Sequence, residues 1–142
     1  MTVLIAHTAD EMRTVGATLG RALRAGSVVI LDGPLGAGKT TLTQGIAEGL
    51  GVRGPITSPT FVISRVHPSL TDGPSLIHVD AYRVDSLAEV DDLDLDADLD
   101  RAVLVAEWGT GKLDAVAEAT VIVTIDRRDD DTRVLTVEGL DL

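Results

Sequence analysis

Apolar residues recur along this chain with two different spacings, and the spacings predict alternating strands and helices. Continuous, largely β-branched apolar runs at 27–32 and 102–106 predict two buried strands. Apolar residues three or four positions apart at 12–23 and 42–50 predict two helices, each with one buried face. This alternation of strands and helices is typical of an α/β domain.

Both predicted helices carry sequence signals at their ends. Thr8 is followed three residues later by Glu11, as in a capping box, so the first helix is expected to begin there. This helix is expected to end near 25–26, where a glycine follows the apolar positions. Gly49 and Gly51 mark the expected end of the second helix, because glycine is common where helices stop.

Shorter apolar runs predict the remaining strands. Two pairs of them are separated by turn-forming residues and are expected to form hairpins around 68–74 and 127–131. The segment 85–100 is acidic, with apolar positions spaced for one or two short helices. The predicted strands are 3–6, an expected edge strand, and 61–66, 75–82, 121–125 and 134–137.

The most specific motif is the sequence GPLGAGKT at 33–40, which lies between a predicted strand and a predicted helix. Its spacing is that of a phosphate-binding loop, in which glycines let backbone N–H groups close around phosphate oxygens. Lys39 is expected to contact the β- and γ-phosphates, and the Thr40 hydroxyl is expected to ligate Mg²⁺. The sequence therefore predicts a nucleotide site. Its candidate binding residues are Leu35, Gly36, Ala37, Gly38, Lys39, Thr40 and Thr41.

Composition indicates the domain count, the cellular compartment and the classes of partner that the chain disfavours. The 142 residues are expected to form one domain, 1–142, and a hydrophobic content of 44% suffices for a folded core. The chain has no cysteine, no apolar run as long as a membrane span and no signal-peptide pattern at its start. These features favour a cytoplasmic protein. A net charge of −11 argues against nucleic-acid binding by this chain alone.

Two acidic residues end predicted strands, which makes them candidate partners of a bound metal ion. Glu107 follows a uniformly apolar run, and Asp80 follows a less uniform one. Phosphoryl-transfer sites hold Mg²⁺ with a loop hydroxyl and with an acid at the end of a neighbouring strand. We therefore favour Thr40 and Glu107 as metal ligands, and we expect Asp80 to orient or deprotonate the attacking water. With Lys39, these two acids are the candidate catalytic residues.

Hydroxyl and aromatic residues accompany the candidate site. Ser58 and Thr60 flank a proline after the loop helix, where nucleotide-binding proteins place a segment that senses the γ-phosphate. The chain has three aromatic residues, Phe61, Tyr82 and Trp108, and each lies beside a candidate polar group. We interpret these segments as one site. Its candidate switch or accessory residues are Ser58, Thr60, His78, Tyr82 and Trp108; the histidine suits a packing role equally well.

Four motifs are shared with a known family. They are the loop at 33–41, SPTF at 58–61, HVDAYR at 78–83 and EW at 107–108. In order and spacing they resemble the TsaE (formerly YjeE) family, bacterial ATPases required for the threonylcarbamoyladenosine modification of tRNA. The resemblance spans nearly the whole chain. It implies a three-layer P-loop NTPase-like fold, a mixed sheet flanked by helices, and an ATPase that uses ATP and Mg²⁺ and acts with the TsaB and TsaD proteins.

The resemblance also implies roles for single residues. These are Mg²⁺ binding for Thr40 and Glu107, phosphate binding for Lys39, and a requirement for activity for Asp80 and Trp108. It adds Arg133 to the nucleotide-binding residues, because the family brings a matching arginine towards the nucleotide. The segment 109–111 departs from the family, since Gly-Thr-Gly stands where members often have proline and an acid.

The predicted function is a cytoplasmic Mg²⁺-dependent ATPase, slow alone and faster with its partners, that resets a tRNA-modification complex by hydrolysis. Two alternatives stay open: a small P-loop kinase acting on a metabolite, and a nucleotide-gated binding module without catalysis. A phosphorylated small molecule would indicate the kinase, and tight ATP binding without phosphate release would indicate the module. The acidic segment 85–100 is interpreted either as a solvated helix face or as a docking surface for a basic partner.

Overall fold

The computed structural model describes residues 2–33, 38–52, 64–71, 73–80, 101–107 and 120–140. Within these residues the chain forms one seven-stranded sheet and two helices. The elements in chain order are β1 (Thr2–Ala6), α1 (Ala9–Ala22), β2 (Val28–Asp32), α2 (Lys39–Leu50), β3 (Ser64–His67), β4 (Ser75–Asp80), β5 (Ala102–Glu107), β6 (Thr120–Arg127) and β7 (Arg133–Glu138).

The sheet is mixed, with parallel strands at its centre and antiparallel strands at its edges. Its strand order is β1-β7-β6-β2-β5-β4-β3. The four central strands, β6, β2, β5 and β4, run parallel to one another, while β3, β7 and β1 join by antiparallel pairing. The predicted edge position of the first strand is confirmed, as are both predicted hairpins.

The register of the central strands brings three strand ends together. Glu107, the last residue of β5, is paired with Leu31 of β2 and with Asp80 of β4. β2 also ends at this edge, with Asp32, before the chain continues to α2. Ligands of open α/β sheets bind at the carboxyl ends of the strands, so this edge is where the fold positions a site.

The core lies between the sheet and the two helices. Val29 and Leu31 of β2 pack in one cluster with Leu19 of α1 and Leu42 of α2. Ile30, which points to the other face of the sheet, is also fully buried. Burial on both faces is typical of parallel strands in α/β proteins and explains why these strands are uniformly apolar in sequence. The predicted α/β fold, a mixed sheet flanked by helices, is confirmed.

The two helices contact each other through four glycines. We call this the glycine contact, and its residues are Gly16, Gly20, Gly45 and Gly49. A Cβ atom on Gly16 would lie 2.8 Å from the Cα atom of Gly45, and one on Gly20 would lie 3.0 Å from the Cα atom of Gly49. Real Cβ atoms essentially never come closer than 3.0 Å to such atoms, and a Cβ atom on Gly20 would lie even closer to the Ile46 carbonyl oxygen. Any side chain here would therefore push the helices apart. The backbones of α1 and α2 therefore pack directly against each other.

The observed helix ends agree in part with those predicted from the sequence. Thr8 is the N-cap of α1, where its hydroxyl accepts a hydrogen bond from the Glu11 N–H at 3.1 Å. The predicted end near 25–26 is wrong, because Leu23 already has an extended conformation and caps the helix. Gly51 caps α2 with a φ of 75°, and Gly49 lies in the last turn, so the predicted end of this helix is confirmed.

Parts of the predicted elements lie outside the described residues. These are 61–63 of the strand predicted at 61–66, 81–82 of the strand predicted at 75–82, and the whole acidic segment 85–100. In the part of the chain that the structure describes, no helix is long and apolar enough to cross a membrane.

Candidate functional site

The phosphate-binding motif ends at the first turn of α2. Gly38 is the N-cap of this helix and has a φ of 98°, a left-handed conformation that glycine adopts without strain. Lys39, the first helical residue, is buried, and its Nζ atom donates a hydrogen bond to the Gly33 carbonyl oxygen at 2.7 Å. The lysine side chain thus reaches back to Gly33, next to a helix N-terminus that favours anions.

Burial sets the proton affinity of this lysine. Removal from water lowers the pKa of Lys39 below its ordinary value, and the nearby carboxylates of Glu107 and Asp32 only partly oppose this. A buried ammonium group gains from any anion that enters the site, because the anion replaces part of the hydration that the group has lost. Lys39 is therefore placed to bind an anionic ligand.

A hydroxyl and a carboxylate meet beside the lysine. The Thr40 Oγ1 atom donates a hydrogen bond of 3.4 Å to Glu107 Oε1, and the Glu107 side chain is mostly buried. Two residues that are 67 positions apart in sequence are joined because α2 begins where β5 ends. Threonine and carboxylate oxygens are the hard ligands that Mg²⁺ prefers.

The donor set fits a magnesium ion shared with a ligand. No group of three or more His, Cys, Asp or Glu side chains capable of holding a metal occurs among the described residues. Mg²⁺ is commonly bound by one or two protein oxygens, with waters and substrate phosphate oxygens completing its octahedron. Thr40 and Glu107 supply what such a shared ion requires of the protein.

His78 lies against the same carboxylate. The ring is fully buried, and its Nε2 atom is 3.6 Å from Glu107 Oε2. Neither ring nitrogen has a hydrogen-bond partner among the described residues. The sequence allowed either a packing role or a functional role for His78. The structure places it next to Glu107, the candidate metal ligand. Asp80 ends the same strand with its backbone paired to Glu107, but its side chain lies outside the described part of the structure.

A cavity of about 180 Å³ opens beside the first turn of α2. Three parts of the chain line it: the start of α1, the start of α2 and the connection between β6 and β7. Because Gly38 and Thr41 line it, the cavity adjoins the end of the predicted phosphate-binding loop. The lining residues are His7, Thr8, Ala9, Met12, Gly38, Thr41, Asp131 and Arg133.

Three of the predicted binding residues, Gly38, Thr41 and Arg133, line this cavity. Arg133 reaches it from the opposite end of the sequence because β7 pairs with β1, which leads directly into α1. Sequence reasoning missed the residues at the start of α1 and Asp131. The capping pattern of Thr8 and Glu11 could have indicated an exposed helix start, but nothing in it indicates a cavity.

Several predicted site residues lie outside the described residues. They belong to the centre of the predicted phosphate-binding loop, to the predicted switch segment, and to the parts of the HVDAYR and EW motifs that contain Tyr82 and Trp108. Their predicted roles stay predictions. They are Leu35, Gly36, Ala37, Ser58, Thr60, Tyr82 and Trp108. Phe61 of the SPTF motif also lies outside the described residues.

Known proteins are similar to this chain over most of its length. The family model described as "Threonylcarbamoyl adenosine biosynthesis protein TsaE" matches residues 6–135. A Streptomyces coelicolor protein named tRNA threonylcarbamoyladenosine biosynthesis protein TsaE is 58% identical over 134 residues, 91% of this chain and 90% of its own. The Bacillus subtilis protein of the same name is 35% identical, over 89% of this chain and 78% of its own. The crystal structure of Bacillus subtilis YdiB superposes with a TM-score of 0.75 at 30% identity, covering 99% of this chain and 86% of that one.

Proposed function

Because the chain belongs to the TsaE family of threonylcarbamoyl adenosine biosynthesis proteins, we propose that it serves tRNA threonylcarbamoyladenosine biosynthesis as a Mg²⁺-dependent ATPase. The observation that carries this proposal is the pairing of Thr40 with Glu107 beside the buried Lys39. A hydroxyl, a carboxylate and an ammonium group at one helix start are the parts that phosphoryl transfer to water requires.

Each described residue has a separate task in this proposal. Lys39 binds the β- and γ-phosphates, and its ammonium group exchanges the Gly33 carbonyl for phosphate oxygens. Thr40 and Glu107 hold Mg²⁺, which neutralises charge on the phosphate oxygens when it is bound. His78 packs against the far carboxylate oxygen and restricts the Glu107 side chain to the site. Asp80, at the end of the adjacent strand, orients the attacking water.

The cavity beside α2 takes the nucleoside part of ATP. Gly38 and Thr41 belong both to the phosphate-binding end of the helix and to the cavity wall, so the two parts of the ligand meet there. The apolar side chain of Met12 and the polar groups of Thr8 and Arg133 provide a mixed lining, which suits a base and a ribose.

Partner proteins are part of this function. We propose that TsaB and TsaD stimulate a slow intrinsic turnover, with hydrolysis resetting the assembled complex. Stimulation by partners is common among P-loop NTPases, because positioning and charge stabilisation of the transition state can be supplied from a second protein.

The proposal is tested with Lys39→Ala in the complex with TsaB and TsaD. Loss of the ammonium group is expected to lower phosphate release from ATP roughly 100-fold, because it removes a charge that stabilises the transition state. Arg101→Ala is the matched control, since it removes one positive charge at the exposed opposite end of β5. Its rate is expected to equal that of the wild type.

Phosphate release by the Lys39→Ala complex at the wild-type rate would overturn the proposal. The product also discriminates the function, because an ATPase releases free phosphate whereas a kinase forms a phosphorylated small molecule. Tight binding of ATP without phosphate release by the wild-type complex would replace the ATPase with a nucleotide-gated binding module.

A further inference from the structure

The connection between β6 and β7 brings an anionic side chain to the nucleotide cavity. Asp131 lines this cavity together with Arg133, which lies two residues later in the chain. Its backbone has a φ of 66°, in the left-handed region that aspartate tolerates better than most residues. The turn thus holds a carboxylate at a place where a polyanionic ligand is expected.

Two arginines surround this carboxylate. Arg127 donates to Asp131 Oδ1 through Nε at 3.1 Å and through Nη2 at 2.8 Å. Arg133 Nη1 lies 3.8 Å from the same oxygen and also donates a hydrogen bond to the Asp131 backbone carbonyl. The hydrogen bonds and charge of Arg127, followed by the charge of Arg133, hold the pKa of Asp131 below its ordinary value. The carboxylate is therefore ionised at neutral pH.

The cavity wall contains a cation and an anion that attract each other. Arg133 is the cation, and its side chain is 21% exposed, compared with 68% for Asp131. A nucleotide phosphate that approaches Arg133 must share it with the carboxylate, which also repels the phosphate. Because Asp131 is exposed, salt screens this repulsion, and the effect is confined to a short range.

We propose that Asp131 is the resident counter-ion of Arg133 and sets nucleotide affinity by competing with the ligand phosphates for this arginine. The inference rests on the proposed nucleotide-binding function. Such a counter-ion weakens the binding of ATP and ADP alike and so favours nucleotide exchange. It gives Asp131 a role in setting nucleotide affinity without contact to the reacting atoms.

The test compares Asp131→Asn with Asp130→Asn by calorimetric titration of the full-length chain with MgATP, MgADP and adenosine. Asparagine also tolerates the left-handed conformation, so the first variant removes the charge and keeps the turn. Asp130 has the same charge one residue earlier, but its carboxylate accepts a hydrogen bond from the Thr132 N–H and does not line the cavity.

We expect Asp131→Asn to tighten MgATP and MgADP binding about threefold to tenfold at low salt, with a smaller gain at high salt. Adenosine affinity is expected to stay within about twofold, because adenosine carries no phosphate charge. Asp130→Asn is expected to stay within about twofold for all three ligands. In an Arg133→Gln background the gain from Asp131→Asn is expected to disappear, since Arg127, the remaining partner of Asp131, does not line the cavity.

Three outcomes would overturn the inference. Weaker nucleotide binding by Asp131→Asn would mean that the carboxylate positions Arg133 for the ligand. Unchanged binding would mean that it has no influence, and a gain that persists without Arg133 would mean simple repulsion. A wild-type chain that bound no nucleotide would overturn the proposed function as well, so the two failures are distinguishable.

Discussion

Replacement of Gly45 by alanine tests whether the backbones of α1 and α2 rest directly on each other. A Cβ atom at this position would lie 2.9 Å from the Cα atom of Gly16 and even closer to the carbonyl oxygen of Arg13. Both obstacles are backbone atoms, so no side-chain rotation relieves the contact. The helices must instead separate by about 1 Å to restore ordinary van der Waals distances.

Two opposing effects determine the magnitude. Alanine favours a helix interior over glycine by about 1 kcal/mol, which stabilises the variant. Overpacking costs up to about 3 kcal/mol, and a gap of about 1 Å forfeits part of the dispersion energy between the neighbouring side chains. The expected net loss is about 2 kcal/mol of the free energy of unfolding, or about 6 °C in Tm for a domain of this size.

Urea unfolding followed by far-UV circular dichroism measures this loss. Glu48→Ala is the matched control, because Glu48 is exposed on the same helix and its replacement is expected to stay within about 0.5 kcal/mol of the wild type. If Gly45→Ala were as stable as the wild type, or more stable by the gain in helix propensity, the helices would not be in backbone contact.

Two further predictions concern charges. Glu107→Gln is expected to raise the Mg²⁺ concentration required for half-maximal ATP hydrolysis by about tenfold or more, measured by titration of the complex, whereas exposed Asp126→Asn is expected to leave it unchanged. The lowered pKa of Asp131 predicts that its pairing with Arg127 stabilises the fold above the unfolded-state value of 3.8 and that this contribution is lost as the pH falls through the folded-state value. The difference in stability between wild type and Asp131→Asn, measured by urea unfolding at neutral and acidic pH, should therefore shrink in acid.

The strands could be predicted from the sequence because local patterns determine them. The same is true of the part of the candidate site that contains Lys39, Thr40 and Glu107. A buried parallel strand is apolar at every position, and the residue that ends it lies at the edge where ligands bind. Glu107 could therefore be assigned to the proposed metal site from its place after an apolar run, and Thr40 from the loop motif. The structure brings their side chains together.

The cavity could not be predicted because it depends on contacts between distant segments. His7 and Thr132 are 125 residues apart, and their side chains approach to 3.4 Å only because β1 pairs with β7. Strand order leaves no periodic signal in a sequence. The glycine contact left a signal, since glycines recur four residues apart in both helices, but Gly49 read alone is typical of a helix end.

Ligand affinity and fold stability are linked through these same contacts. A ligand that binds only the folded chain adds about 2.7 kcal/mol of stability at 100 times its Kd. The cavity walls come from the starts of α1 and α2 and from the turn after β6, so their spacing depends on the glycine contact and on the pairing of β1 with β7. If the cavity binds nucleotide as proposed, a change that separates the helices lowers the free energy of unfolding in the presence of nucleotide in two ways, through poorer packing and through weaker binding. The glycine contact is therefore coupled to the proposed binding site.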